Sequence, residues 1–387
     1  MKKIFSLKNL IYLTIFALPS YLWKISFFVL PSNILELLIM ACLIVWLLFR
    51  AKKTAWQDFF EKYKTFFWPA GLIFLGLILS MLINKSYLVS VGIIKAWFVL
   101  PMFFSFMASS IVKKEQKNKL FGAYYVSVCL VAIISLAYFV LGRLTYDERM
   151  AGIFNSPNYL AMYLAPAIFV GYYLFWRDAG KCFGKKLVFI SLASIALALY
   201  LTYSYAAWLA LAMAFGLVFA VEKKAVFRKT FAIFLIILAV VFFQHEKPKF
   251  ADLVNFNVRS SLASRMMIWR SAEKIIADNW IWGIGAGNFQ TKYLEYQKYF
   301  PPYLEWAVPH PHNLYLAFWL YSGLSGLVGF IWLIIAWFRA LILKQKNPNL
   351  KLLGLGVMFY ILLHGLFDTT YFKNDLAVIF WLLFSLI

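Results

Sequence analysis

The sequence predicts an all-α polytopic membrane protein with about 12 transmembrane helices. Hydrophobic residues make up 64% of its 387 residues, whereas soluble domains are roughly 45–50% apolar. Apolar runs of bilayer-spanning length, about 17–25 residues, recur along the chain. One long polar stretch, 244–311, interrupts them before the last spans. The whole of 1–387 is therefore interpreted as a single transmembrane domain that carries one large extramembrane loop.

The apolar runs assign the spans in order. They are expected at 10–30, 34–49, 66–84, 87–111, 120–142, 157–176, 187–203, 205–221, 230–243, 312–338, 352–366 and 375–387. This order places the large loop between spans 9 and 10 and both chain termini on one side of the membrane. The first run leads directly into the second, so it is interpreted as a span and not as a cleavable signal peptide.

The positive charge of the chain follows this topology. The formal net charge is +22, and 24 of the 38 Lys and Arg lie in one alternating set of segments: the N-terminus, 50–65, 112–119, 177–186, 222–229 and 339–351. The positive-inside rule makes that set, with both termini, cytoplasmic and makes the large loop exoplasmic. Membrane lipids are thus the expected surroundings, and no nucleic-acid partner is expected.

The sequence carries no recognisable signature for a metal or a nucleotide. It has no Cys/His spacing for zinc, no acidic cluster for calcium and no phosphate-binding P-loop. The glycine-rich segment 283–287 lacks the last glycine of a dinucleotide turn and follows a helical pattern instead of a strand. We therefore expect neither a metal nor a cofactor.

The first polar exoplasmic segment combines an arginine with a helix start. Arg149 comes just before a small-residue turn, and 155–158 offers Ser and Asn caps for the sixth span. A helix N-terminus beside an arginine is a ready anion site. The alternative is an interfacial arginine that snorkels beside an ordinary cap.

The second polar segment, 264–278, is predicted to be a helix in the large loop. Apolar residues at 266, 268, 269, 272, 275 and 276 follow helical spacing, so this face is expected to lie on the bundle or the bilayer surface. Arg265 is expected in the first turn, where a cation is unfavourable unless an anion is nearby. Arg270 follows on the same helix. For the next stretch, 283–289, a structural turn anchored by tryptophans is an interpretation at least as good as a direct contact with substrate.

The third polar segment, 309–313, contains His310, His312 and Asn313 at the mouth of the tenth span. A histidine in this position can titrate near neutral pH and take a proton from a hydroxyl. The alternative for the same residues is a polar helix cap.

Charged residues inside spans are costly in the membrane. Lys95 is expected some way below the exoplasmic surface, where it either lines a donor cavity or has a structural role. Lys24 and Glu36 lie near enough to the surface for snorkelling or mutual pairing to explain them.

Two arginines and a histidine without metal ligands suit a lipid-diphosphate donor. Arginines stay charged and can bind diphosphate oxygens through two parallel hydrogen bonds. Arg149 and Arg265 would stabilise the charge that develops on the departing diphosphate, and His312 would deprotonate an acceptor hydroxyl. This arrangement does the electrostatic work that a metal ion does elsewhere.

These motifs resemble those of the O-antigen ligase/polymerase superfamily. The likeness rests on 149–158, on 265–269 followed by 283–289, and on 311–315, in that order on a twelve-span frame. It covers roughly 140–370, and the first four spans match only in hydropathy.

The resemblance implies a metal-independent glycosyltransferase with a GT-C-like fold in the bacterial cytoplasmic (inner) membrane. Such enzymes pass a glycan from undecaprenyl diphosphate to an acceptor on the exoplasmic face. By position, Arg149 and Arg265 would bind the diphosphate and His312 would activate the acceptor; Gly365 and Asp368 also match, without an assigned role. The candidate substrate-binding residues are therefore Arg149 and Arg265, together with Asn158, Asn313, Arg270, His310 and Lys95.

Several alternatives stay open at the level of sequence. A ligase would use lipid A core or another surface acceptor, whereas a polymerase of the same superfamily would use the growing repeat-unit chain. A protein-directed glycosyltransferase is a further alternative. A polysaccharide or lipid transporter shares the hydropathy, but transporters place polar residues in mid-span on broken or repeated helices.

Overall fold

The computed structural model describes residues 6–27, 30–50, 53–113, 116–177, 184–221, 260–301 and 306–387. These residues are mostly helical. The span expected at 230–243 and the parts 244–259 and 302–305 of the large loop lie outside the described residues.

The N-terminal segment departs from the expected first span at 10–30. Helix α1 covers only Leu7–Phe16, and a 3₁₀ helix, Leu18–Leu22, has Pro19 in its first turn. Proline has no N–H to continue an α-helical ladder, which explains the early end of α1. The chain then forms an antiparallel hairpin of β1, Lys24–Phe27, and β2, Leu30–Asn33. The expectation of a continuous helix at 10–30 is therefore wrong, although the described residues as a whole are mostly helical.

The next expected spans are helical. The helices are α2, Ile34–Arg50; α3, Lys53–Ile83; α4, Tyr87–Ile93; α5, Leu100–Ile111; and α6, Asn118–Val140. A π-helical segment, Ile94–Val99, joins α4 to α5. Such π segments often mark functional sites.

The middle of the chain continues with paired helices. They are α7, Pro157–Leu164; α8, Pro166–Arg177; α9, Lys185–Leu201; and α10, Tyr205–Val221. The span expected at 157–176 is thus divided before Pro166, whose missing N–H interrupts the helix.

The described part of the large loop is helical, followed by the last spans. The loop contains α11, Ser261–Asn279, α12, Phe289–Tyr296, and a 3₁₀ turn, Gln297–Tyr299. The last helices are α13, Leu314–Lys344; α14, Pro348–His364; α15, Asn374–Leu382; and a 3₁₀ helix, Leu383–Leu386. Residues 374–386 are all buried, so the C-terminal helices lie at the centre of the bundle.

Among the described residues, five helical stretches, some of them made of consecutive helices, are long and apolar enough to cross a membrane. They are Phe60–Ile83, Tyr87–Ile111, Asn118–Val140, Pro157–Trp176 and Leu314–Lys344. Shorter apolar helices cover Leu7–Phe16, Ile34–Leu48, Tyr205–Val221, Pro348–His364 and Asn374–Leu386. The chain is therefore a multi-pass membrane protein, and the count of twelve spans stays a prediction.

A kink in α13 holds the glycine-rich turn of the large loop. At Gly323 the backbone has φ 65° and ψ −168°. The amide of Leu324 therefore donates to the carbonyl of Ile281 (3.1 Å), and the carbonyl of Leu320 accepts from Ile284 (2.7 Å). The loop thus satisfies backbone groups that a straight helix would pair internally. This docking favours the structural interpretation of 283–289 and fixes the C-terminal end of α11.

We expect Gly323→Ala to destabilise the protein by about 1–3 kcal/mol. The Gly323 conformation is open almost only to glycine, and a Cβ there would collide with the carbonyl oxygen of Ile281. Thermal unfolding of the purified protein in detergent measures the effect. The matched control is Gly71→Ala in α3, because no atom lies within 4 Å of a Cβ at that position. Equal unfolding temperatures for the two variants would contradict the role of the kink.

Candidate active site

Arg149 is held in the loop between α6 and α7 by three contacts. Its Nε donates to the carbonyl of Thr202 at 2.8 Å, and its Nη2 donates to Oδ1 of Asn158 at 2.8 Å. A longer ion pair of 3.5 Å joins Nη1 to Asp147. The side chain is buried, so the alternative of a snorkelling arginine does not describe it. A guanidinium has five N–H donors, so this arrangement leaves donors for a ligand.

The start of α7 lies directly beside Arg149. Ser156 caps the helix, because its Oγ accepts from the amide of Asn158 at 3.2 Å. Asn158 therefore does not provide the cap; its side chain orients Arg149 instead. The predicted pairing of an arginine with a helix N-terminus is present in the structure.

Helix α11 carries Arg265 to the same site. The helix begins at Ser261 with Ser260 as its cap, so Arg265 is its fifth residue and not, as expected, part of the first turn. Its Nη2 lies 3.7 Å from Oδ2 of Asp368. Of the expected apolar positions, 268, 272, 275 and 276 are buried and 269 is half-buried, but Met266 is exposed and the neighbouring Met267 is buried instead.

The two arginines are close enough to influence each other. Burial lowers the pKa of Arg149, Asp147 raises it, and the charge of Arg265 lowers it further. Like charges in a partly buried site repel, and a bound anion would relieve that repulsion. The pair is therefore suited to bind a polyanionic group.

His312 forms a hydrogen-bonded pair with Asp368. The Nδ1 of His312 lies 3.1 Å from Oδ1 of Asp368, 56 residues away in the sequence. The same oxygen accepts from the amide of Thr369 at 2.9 Å. The sequence motifs assign no role to Asp368, because its pairing with His312 depends on how α13 and α14 meet.

The surroundings of Asp368 favour the ionised form of its carboxyl group. Burial raises the pKa of its carboxyl group, but His312, Arg265 and His364 lower it, and together they hold it well below the usual range. An ionised carboxylate only accepts hydrogen bonds, so His312 donates from Nδ1. A neutral imidazole that donates from Nδ1 keeps its Nε2 free to accept a proton.

The helix cap at the mouth of α13 is Asn313 and not His312. Its Oδ1 accepts from the amides of Tyr315 (2.9 Å) and Leu316 (3.0 Å). His312 has φ 46° and its carbonyl accepts from Nε1 of Trp269 at 3.2 Å. The helix-cap alternative thus applies to Asn313, and the His312 side chain is available for chemistry.

His310 lies beside this site in a drier setting. Its Nδ1 is 2.9 Å from the hydroxyl of Tyr321, and its ring centroid is 6.0 Å from that of Trp97. Burial lowers its pKa to about 4, with smaller contributions in the same direction from His312 and Lys373. His310 is therefore neutral at physiological pH, and its role in substrate binding stays a prediction.

Lys95 is engaged in an ion pair within the bundle. Its Nζ lies 2.7 Å from Glu36 and 3.0 Å from the carbonyl of Pro31. Asn374 also donates to Glu36 at 2.9 Å. Of the two explanations for Lys24 and Glu36, mutual pairing is wrong, because Lys95 projects from the π-helical segment to the carboxylate of Glu36. The assignment of Lys95 as a substrate ligand stays a prediction.

Arg270 is exposed on α11, and the charges that act on Asp368 do not include it. Arg265 and His312 thus share the carboxylate of Asp368, and the charge of Arg265 acts on Arg149. Among the described residues, no group of three or more His, Cys, Asp or Glu side chains could hold a metal ion. Metal independence of the reaction stays a prediction.

The fold and the site define a multi-pass helical membrane protein with a buried, arginine-rich polar site where several loops meet. Residues 189–331, less than half of the chain, match the family model of the O-antigen ligase, and this match confirms the resemblance to that superfamily. The matched segment includes Arg265 and His312 but not Arg149 or Asp368. The family consists of membrane glycosyltransferases of the ligase or polymerase type. No curated protein matches the chain.

Proposed function

We propose that the chain is a metal-independent glycosyltransferase of the O-antigen ligase type. It transfers a glycan from undecaprenyl diphosphate to an acceptor hydroxyl, such as one on lipid A core or another surface acceptor. The observation that carries the proposal is the hydrogen bond between His312 and the buried Asp368, next to Arg265. This hydrogen bond orients the base, and Arg265 places a cation beside the same carboxylate.

The reaction follows from these groups. Nε2 of His312 takes the proton of the acceptor hydroxyl, and the acceptor oxygen forms a bond to the anomeric carbon of the glycan. The bond between that carbon and the diphosphate oxygen breaks, and undecaprenyl diphosphate leaves with the electron pair. Arg149 and Arg265 stabilise the negative charge that develops on this leaving group.

The proposed setting is the bacterial inner membrane, with the site on the exoplasmic face and both termini in the cytoplasm. The distribution of Lys and Arg supports this orientation. The site lies where loops and helix ends meet, which favours chemistry at one membrane face over transport through mid-span sites. A GT-C-like architecture is part of the same proposal.

The test is transfer by the purified protein from a donor with a defined glycan on undecaprenyl diphosphate. One arm contains lipid A core, a second contains only the lipid-linked glycan, and a third contains both with a chelator. Product on lipid A core supports a ligase, whereas lengthened lipid-linked glycan supports the polymerase alternative. Loss of activity with the chelator would contradict metal independence. Absence of any product under all acceptor conditions would contradict the proposal.

A further inference from the structure

A third cation lies close to the candidate active site and has no part in the reaction described so far. Lys373 directly precedes α15, and its Nζ lies 3.7 Å from the ring centroid of Tyr159 and 5.8 Å from that of Tyr21. Among the described residues, no carboxylate forms an ion pair with Lys373. The half-buried ammonium group therefore contacts two aromatic faces, and the carboxylate of Asp375 acts on it without forming an ion pair.

The position of Lys373 connects both halves of the site. Tyr159 follows Asn158, which holds Arg149. Lys373 ends the loop that Asp368 begins, and its charge acts on both Asp368 and His310. The lysine is thus close to Asp368, which holds the proposed base, and to Tyr159, which follows the residue that holds Arg149.

The chemistry of this contact leaves the lysine free to bind an anion. A ring face attracts the charge of an ammonium group, but it does not use up the three N–H donors in hydrogen bonds to oxygen. Burial lowers the pKa of Lys373, and Asp375 and Asp368 raise it from longer range. Asp368 is already shared by His312 and Arg265, so it is not free to pair with Lys373.

We propose that Lys373, held against the ring of Tyr159, binds a phosphate oxygen of the diphosphate group as a third cation beside Arg149 and Arg265. This inference rests on the proposed function, because it assigns a further binding group for the same donor. The shared chemistry is a diphosphate, carried either by the lipid or by free pyrophosphate.

The experiment measures binding to the purified full-length protein in detergent. Undecaprenyl diphosphate without a glycan is titrated in one arm and inorganic pyrophosphate in another. Lys373→Gln is expected to weaken binding of the lipid probe about 10- to 100-fold, the range for one charge-assisted hydrogen bond. A matching loss with pyrophosphate assigns the contact to the diphosphate group itself. A loss confined to the lipid probe assigns it to the lipid-linked form.

The matched control is Lys298→Gln. Lys298 also lies over a tyrosine ring, 5.3 Å from the centroid of Tyr299, but it is exposed and belongs to the large loop. Its replacement is expected to leave binding unchanged. Lys373→Arg, which keeps a cation, is expected to recover part of the affinity.

A second pair of variants covers the case in which Lys373→Gln does not fold. Tyr159→Leu removes the ring that supports the ammonium group, whereas Tyr159→Phe retains it, so the Leu variant is expected to bind more weakly than the Phe variant. Undiminished binding in Lys373→Gln, or equal binding in the two Tyr159 variants, would overturn the assignment while the wild type still binds. Failure of the wild type to bind undecaprenyl diphosphate would instead count against the proposed function.

Discussion

His312→Asn is expected to lower the rate of glycan transfer about 10²–10⁴-fold, the usual contribution of a positioned general base. Asparagine is chosen because His312 has φ 46°, and Asn is one of the residues that accept positive φ. The variant therefore removes the imidazole with little strain in the backbone. Single-turnover transfer from a pre-bound donor measures the chemical step.

Measuring the affinity for the donor shows whether His312→Asn removes only the base or also damages the donor-binding site. It is expected to change little in His312→Asn, because the arginines that bind the diphosphate are retained. Asp368→Asn is the companion variant: it keeps the size of the side chain but no longer holds an anion next to His312 and Arg265. We expect it to lower the rate as well. Transfer at the wild-type rate in His312→Asn would rule out the role of the base.

Arg265→Ala is expected to lower transfer about 10²–10³-fold, the range for loss of one electrostatic stabiliser of a transition state. The variant removes a cation that lies 3.7 Å from Asp368 and interacts with Arg149. The Michaelis constant for the donor is expected to rise as well, because the same group binds the ground-state diphosphate. Steady-state transfer at several donor concentrations gives both constants.

The control for Arg265 lies on the same helix. Lys274 is exposed and pairs with Asp278 at 3.1 Å, so Lys274→Ala should retain full transfer. Arg265→Lys keeps the charge but not the planar fork of donors, and we expect an intermediate rate. Equal activity of Arg265→Ala and Lys274→Ala would show that Arg265 is not needed for the reaction.

Helices and caps were largely predictable, since their signals are local in the sequence. The helix in the large loop was expected from apolar spacing within 264–278, and the structure contains it as Ser261–Asn279. The first span was predicted wrongly from the same kind of signal. Hydropathy does not register that Pro19 ends the helix, nor that the chain then turns back as a hairpin.

The candidate site was only partly predictable. The motifs pointed to Arg149, Arg265 and His312, and they marked Asp368 without assigning a role to the carboxylate that holds two of these residues. The resemblance to the family singled out Asp368, but its contact with His312 and Arg265 depends on the tertiary structure. No sequence motif marks Lys373, because its contact with Tyr159 joins residues more than two hundred positions apart.

Composition and apolar run length determined by themselves that this chain is a multi-pass membrane protein, and the order of its motifs indicated the superfamily. These properties depend on residues that are neighbours in the sequence, so they can be recognised without knowledge of the fold. The tertiary structure alone decided which cation meets which carboxylate: Lys95 with Glu36, and Arg265 and His312 with Asp368. Such pairs depend on the packing of helices that are far apart in the sequence. A buried charge without a partner is costly, so its partner is the opposite charge that the packing brings close to it.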